Sequence, residues 1–195
     1  MKIFKYRNIA SLFLPSFILI IILTGCSATR RSTITETEKS GDIKSTVRIK
    51  KYVAPRMVNT KNITPAELVE FAETLIGVKY KYGSMIKEKG FDCSGFINYV
   101  FNHFKISVPR MTVDFTNAGT EIPIKKSKPG DLILFTGSDA ASGIVGHMGI
   151  IVSNKNGDLE FIHASSSRGV MISGMNSYFV PRFVKVNRVF PDTAF

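Results

Sequence analysis

From residue 64 onward apolar positions change their spacing once. Up to residue 118 they recur at helical intervals, and after residue 130 they fall in short, dense runs separated by Gly, Asn, Asp and Ser. Thr64-Pro65-Ala66-Glu67 has the form of a capping box with proline at the first helical position, and Leu68, Phe71, Ala72, Leu75 and Ile76 follow as one stripe before Gly77. A helix from Thr64 that stops at Gly77 is predicted, with a structural role only. A second stripe, Phe96, Ile97, Val100, Phe101 and Phe104, begins just after Asp92, a good capping residue, and ends before Val108-Pro109-Arg110. Met111 to Ala118 is read as a short helix. Strands are predicted over Leu132 to Phe135, Met148 to Val152, Leu159 to His163, Val170 to Ser173 and Phe183 to Phe190. Helices followed by a strand meander point to an α+β domain with a mostly antiparallel sheet.

The N-terminus carries a different pattern. Lys2, Lys5 and Arg7 precede a run from Ile9 to Leu23 broken only by Ser11, Pro15 and Ser16, and Leu23-Thr24-Gly25-Cys26 follows. A basic head, a short apolar run and small residues make up an export signal over residues 1–25. The last four residues also resemble a bacterial lipobox, which would make Cys26 the lipid-modified first residue of the mature chain. An uncleaved membrane anchor is the alternative, although the run is short of the ~20 residues a span requires. Residues 27 to about 60 are rich in Ser, Thr, Lys, Arg and Glu without a sustained period and read as a spacer, with a weak alternation from Val47 to Val53. The folded domain is expected from residue 62 to 195.

Composition narrows the partners. In 195 residues, 44% apolar, there is room for one domain with a core, and a net charge of +11 calls for an anionic partner. Removing residues 1–25 takes three basic side chains and no acidic one, so the excess of charge belongs to the exported part. Nucleic acid is therefore excluded as a partner on grounds of compartment, leaving a lipid surface or a carboxylate-rich wall polymer.

Only two cysteines are present, Cys26 and Cys93. If Cys26 carries lipid, Cys93 is an unpaired thiol in an oxidising compartment. It stands at the predicted start of the second helix, where unpaired backbone N–H groups and the macrodipole favour a thiolate. The competing reading is an inert buried cysteine. Of the three histidines, His103 near the end of that helix is read as a partner of the helix C-terminus. His147 and His163 flank a predicted hairpin. With a three-residue loop Lys155-Asn156-Gly157, closed by Asn154 opposite Asp158, they are diagonal neighbours on one face. A two-residue loop closed by Lys155 and Asp158 throws them onto opposite faces. A thiol at a helix start, a histidine to deprotonate it and a second to orient the first would suit nucleophilic acyl transfer. No metal motif and no phosphate loop is found.

FDCSGF, GHMGIIV and FIHASSSRGV resemble the signature blocks of the NlpC/P60 family of cell-wall cysteine peptidases, in order and over about Thr64 to Phe190. With the lipobox and the stretch MISGMNSYFVPRFVKVNRVF, the chain is most similar to the lipoprotein murein endopeptidases of that family. The resemblance implies a papain-like α+β fold and hydrolysis of peptidoglycan stem or cross-link peptides through a thioester, without cofactor or metal. It implies Cys93 as nucleophile, His147 as general base and His163 as the orienting residue. Tyr80, in KYKYGS, would support the oxyanion with the Cys93 backbone N–H; Asp92 and Ser94 would line the substrate site, and Arg110 would meet a substrate carboxylate or tie down a loop. The implied bond is the D-alanyl to diaminopimelate cross-link or the γ-D-glutamyl to diaminopimelate bond. A monomer anchored through Cys26, in the outer membrane and facing the periplasm, is expected. Two alternatives stay open: a wall-binding lipoprotein without turnover, and an amidase or acyltransferase on the same fold with an apolar groove. Gly83-Ser84 stands where the family often has Gly-Gly, and the tyrosine-to-cysteine loop and the histidine hairpin are longer than usual, which bears on pocket shape.

Overall fold

The computed structural model describes residues 56–195. The export signal over 1–25, the lipidation site Cys26, the alternation Val47 to Val53 and the spacer up to residue 55 lie outside the described residues. Residues 56–61, assigned from sequence to the spacer, belong to the folded body. Arg56 bridges Ala118, with the Arg56 N–H donating to the Asn117 carbonyl at 2.6 Å, and Thr60 is buried.

Helix α1 (Pro65–Glu73) starts where its capping box predicts: the Thr64 hydroxyl accepts from the Glu67 N–H, and the Glu67 carboxylate accepts from the Thr64 N–H. Turns then lead through Gly77, whose left-handed φ of 88° ends the helical run. The loop before Cys93 holds a small hairpin, β1 (Met85–Ile86) and β2 (Gly90–Phe91), and runs into helix α2 (Cys93–His103). Met111 to Ala118 is helical as expected, but as a 3-10 turn over Thr112–Asn117. Strands β3 (Thr120–Ile122), β4 (Leu132–Thr136), β5 (Val145–Lys155), β6 (Asp158–Ser165), β7 (Gly169–Gly174) and β8 (Phe183–Arg188) form one antiparallel sheet in the order β3-β8-β4-β5-β6-β7. The five predicted strands are all present; β3, three residues long, was not predicted.

The alternation along the central strands divides the core into two. Leu132, Leu134, Met148, Ile150, Ile162 and Ala164 face α1 and α2, meeting Leu68, Ala72, Phe96, Ile97, Val100 and Phe101. On the other side Ile133, Phe135, Ile151, Phe161 and Val186 are covered by Phe179, from the segment that carries the chain across to β8. At the foot of β4, the fully buried Asp131 accepts from Arg188 of β8 at 3.0 and 2.9 Å, and Arg188 donates on to the Lys126 carbonyl. A buried carboxylate requires such pairing, and here it joins two neighbouring strands.

The hairpin between β5 and β6 departs from the expected loop. Lys155 pairs with Asp158, so the connection is the two-residue loop Asn156-Gly157, with both residues at positive φ (56° and 93°) as a type I′ turn requires. That loop alone would send the two histidines to opposite faces. The register shifts between Ile151 and Ser153, however, leaving Val152 as an extra residue. The bulge restores the pairing Ile150 with Ile162, and His147 and His163 return to one face.

Candidate active site

Four elements converge on the end of the sheet where β5 begins and β6 finishes. Cys93 is the first residue of α2. Asp92 caps that helix, its Oδ1 accepting from the Gly95 N–H, and Ser84 presses so closely on the first turn that a Cβ on Gly95 would strike its carbonyl. The Sγ of Cys93 lies 3.3 Å from Thr112 Oγ1 and donates to the Gly146 carbonyl at 3.7 Å. His147 is the next residue on β5. Its Nε2 is 2.9 Å from Nδ1 of His163, whose Nε2 is 3.0 Å from Ser173 Oγ on β7. The single nitrogen of His147 not engaged with His163 is Nδ1.

Glycine at 149 permits the approach of the two rings. A Cβ there would lie 2.8 Å from the Ile162 carbonyl, 2.8 Å from Phe161 and 3.3 Å from His163 Cβ. The rings are also caged. Phe135 and Phe179 pack on His147 with centroids 6.2 and 6.3 Å away, and Phe161 and Phe179 on His163 at 5.2 and 5.4 Å.

Burial in this cage sets the charge states. Desolvation lowers the His147 pKa to about 4 and that of His163 to about 3, the latter helped by His147 and the nearby Arg168. Burial pushes the Cys93 thiol up, against the opposing hydrogen bond from Thr112. The thiolate expected from the helix N-terminus thus meets an opposing effect, since desolvation favours the neutral thiol and the neutral imidazoles. Burial and the neighbouring Cys93 likewise raise the Tyr80 hydroxyl.

Cys93, His147 and His163 open on one cavity of about 630 Å³. Its lining includes Tyr80 and Tyr82, the turn Ser165 to Arg168 between β6 and β7, and a wall in which Tyr178 and Arg182 meet Ser138. Arg182 stacks over Tyr178 at 4.0 Å and donates to the Ser138 carbonyl, joining the two segments of that wall. The lining holds two arginines and no carboxylate.

Asp92, Ser94 and Arg110 do not line this cavity. Asp92 and Ser94 are buried, and Arg110 donates to Ser94 Oγ at 2.9 Å, to the Gly83 carbonyl at 3.2 Å and to Asp92 at 3.3 Å. They sit behind the start of α2, where Arg110 ties the Gly83 loop to the helix cap. His103 sits in the last turn of α2, as expected, and its ring also stacks on Phe71 at 3.7 Å. Thr112, Gly149, Ser173 and Phe179 were missed. Each acts on a residue ten or more positions away, and although Gly149 and Ser173 lie in predicted strands, nothing local marks the partner of either.

Residues 77–188, more than half of the chain, match the model of the NlpC/P60 family. The chain belongs to the NlpC/P60 family. Escherichia coli strain K12 murein DD-endopeptidase MepS/murein LD-carboxypeptidase is 30% identical over 180 residues, 90% of each chain. The γ-DL-glutamyl hydrolase of Bacillus subtilis strain 168 is 33% identical over 134 residues, 67% of this chain and 32% of that protein. Among solved structures, the NlpC/P60 domain of the peptidoglycan hydrolase SagA superposes with a TM-score of 0.52 at 31% identity, covering 65% of this chain and 99% of that one. The shared α+β fold is that of NlpC/P60 domains. Among the described residues no cluster of three or more His, Cys, Asp or Glu is placed to hold a metal, and no helix is long and apolar enough to cross a membrane.

Proposed function

We propose that this chain is a cysteine peptidase that hydrolyses peptide bonds of peptidoglycan, with Cys93 as nucleophile, His147 as general base and acid, and His163 orienting His147. The observation that carries the assignment is the 2.9 Å bond between His147 Nε2 and His163 Nδ1, made in the wall of the cavity that holds the Cys93 thiol. Engagement of Nε2 leaves Nδ1 of His147 to take the thiol proton.

The sulfur attacks the substrate carbonyl carbon as its proton passes to His147 Nδ1. The resulting oxyanion is received by the Cys93 N–H at the start of α2 and by the Tyr80 hydroxyl. His147 then returns the proton to the departing amine, the C–N bond breaks and a thioester remains. Water, deprotonated by His147, attacks the thioester; the acid leaves and the thiol is restored. No metal or cofactor enters these steps.

The names of the MepS and SagA relatives support a wall substrate acted on outside the cytoplasm. Within that class the reading adopted is the D-alanyl to diaminopimelate cross-link, supported by the 90% overlap with a murein DD-endopeptidase; the γ-D-glutamyl bond is the competitor. A cavity lined by serines and two arginines suits a carboxylate-bearing peptide better than a lipid acyl chain. The lipobox-like Leu23 to Cys26 supports an exported lipoprotein, and the reading adopted places it as a monomer in the outer membrane, facing the periplasm. The test is digestion of purified wall: the protein releases soluble fragments whose masses identify the cut bond, and Cys93→Ala releases none. Undiminished release by Cys93→Ala would overturn the assignment.

A further inference from the structure

Resting on that reading, we propose that Ser173 is a positioning residue that completes the relay as a hydrogen-bond acceptor, stabilising the imidazolium that forms on His147 when it takes the thiol proton. The polarity of the chain decides the matter. Once His147 is protonated, both its nitrogens carry hydrogen, so its Nε2–H must donate to His163 Nδ1 across the 2.9 Å contact. A neutral imidazole accepting at Nδ1 carries its proton on Nε2. That proton points at Ser173 Oγ, 3.0 Å away.

His163 is 3% exposed, so without an acceptor its N–H would be buried and unpaired in the charged state. Ser173, half-buried and lining the same cavity, accepts this bond and turns its own hydroxyl proton outward. The opposite polarity, with Ser173 donating, puts a hydrogen on His147 Nδ1 and leaves no lone pair for the thiol proton. Reaction therefore passes through the arrangement in which Ser173 accepts. The other groups facing the pair do not offer an alternative acceptor of charge: Cys93 bonds to Thr112 and Gly146, Arg168 is a cation, and the cavity lining contains no carboxylate.

Ser173→Thr and Ser173→Val test this as a pair of equal shape in a strand, where β-branched residues are well accepted. Measured by fragment release from wall, with Cys93→Ala alongside, Ser173→Val is expected to lower kcat roughly 10- to 100-fold with KM unchanged. Its acid limb of the pH–rate profile should move to lower pH, because the imidazolium is less stable, while Ser173→Thr keeps the wild-type profile. Equal kcat and an unmoved limb in Ser173→Val would overturn the proposal, as would loss in both variants with the limb unmoved. Either result leaves the nucleophile assignment intact as long as Cys93→Ala is inactive; activity in Cys93→Ala removes both.

Discussion

His147 and His163 meet at 2.9 Å only because β5 carries one residue, Val152, that β6 does not match. The two-residue turn and the bulge each shift the side-chain alternation by one, and together they cancel. Gly149 then leaves the space in which the rings close.

Gly149→Ala tests that spacing. Its new Cβ meets the Ile162 backbone carbonyl and the Phe161 ring, neither the free end of a flexible side chain. The expected cost is about 1–3 kcal/mol of stability, with a loss of activity larger than the loss of folded protein. Activity is read against circular dichroism at the same temperature.

Much of this architecture was legible before any coordinates. Thr64 to Glu67 and the stripe on α2 are local signals, and the strand runs from Leu132 onward are dense enough in β-branched and aromatic residues to stand alone. The hairpin was half legible: Asn156-Gly157 is a strong turn signal, but nothing in Val152 marks it as the bulged residue. Its position follows from tertiary pairing. The same holds for the thiol. A helix N-terminus was readable at Asp92-Cys93, whereas the burial that opposes it comes from the fold around it. Arg56 to Lys61 read as spacer because what ties Arg56 to the domain, its pairing with Asn117 to Gly119, is long-range.

Acidification should destabilise the fold through the histidine pair. Both pKa values are lowered, to about 4 and about 3, so the unfolded chain binds protons that the folded chain refuses. This contribution is constant above the ordinary value of 6.5 and is lost as pH falls from there toward 3, by at most about 1.4 kcal/mol per pH unit for each ring. Thermal melting from pH 7 to 4 should show the decline. His163→Phe, which removes the nearly fully buried ring, should flatten it.

Arg110→Met separates support of the α2 start from substrate binding. It leaves the Asp92 carboxylate, 9% exposed, with only the Gly95 N–H and Ser94 hydroxyl as partners. Stability should fall by about 1–3 kcal/mol, while KM stays near the wild-type value. A KM that rises with stability unchanged would instead place Arg110 on the substrate.

The buried pair Asp131–Arg188 lies at the end of β4 away from the cavity-lining Thr136. Asp131→Ala removes the buried carboxylate from a guanidinium whose side chain is 12% exposed, leaving it Asp192 and the Lys126 carbonyl, and should cost about 1–3 kcal/mol. The variant that remains folded should keep its specific activity, read as kcat per folded molecule.

Intact-mass measurement of the enzyme quenched during turnover of a cross-linked stem-peptide dimer tests the catalytic assignment most directly. The account predicts an acyl adduct on Cys93 that hydroxylamine removes, and none on Cys93→Ala. Hydrolysis continuing at the same rate in Cys93→Ala, with no adduct at residue 93 in the parent, would contradict it.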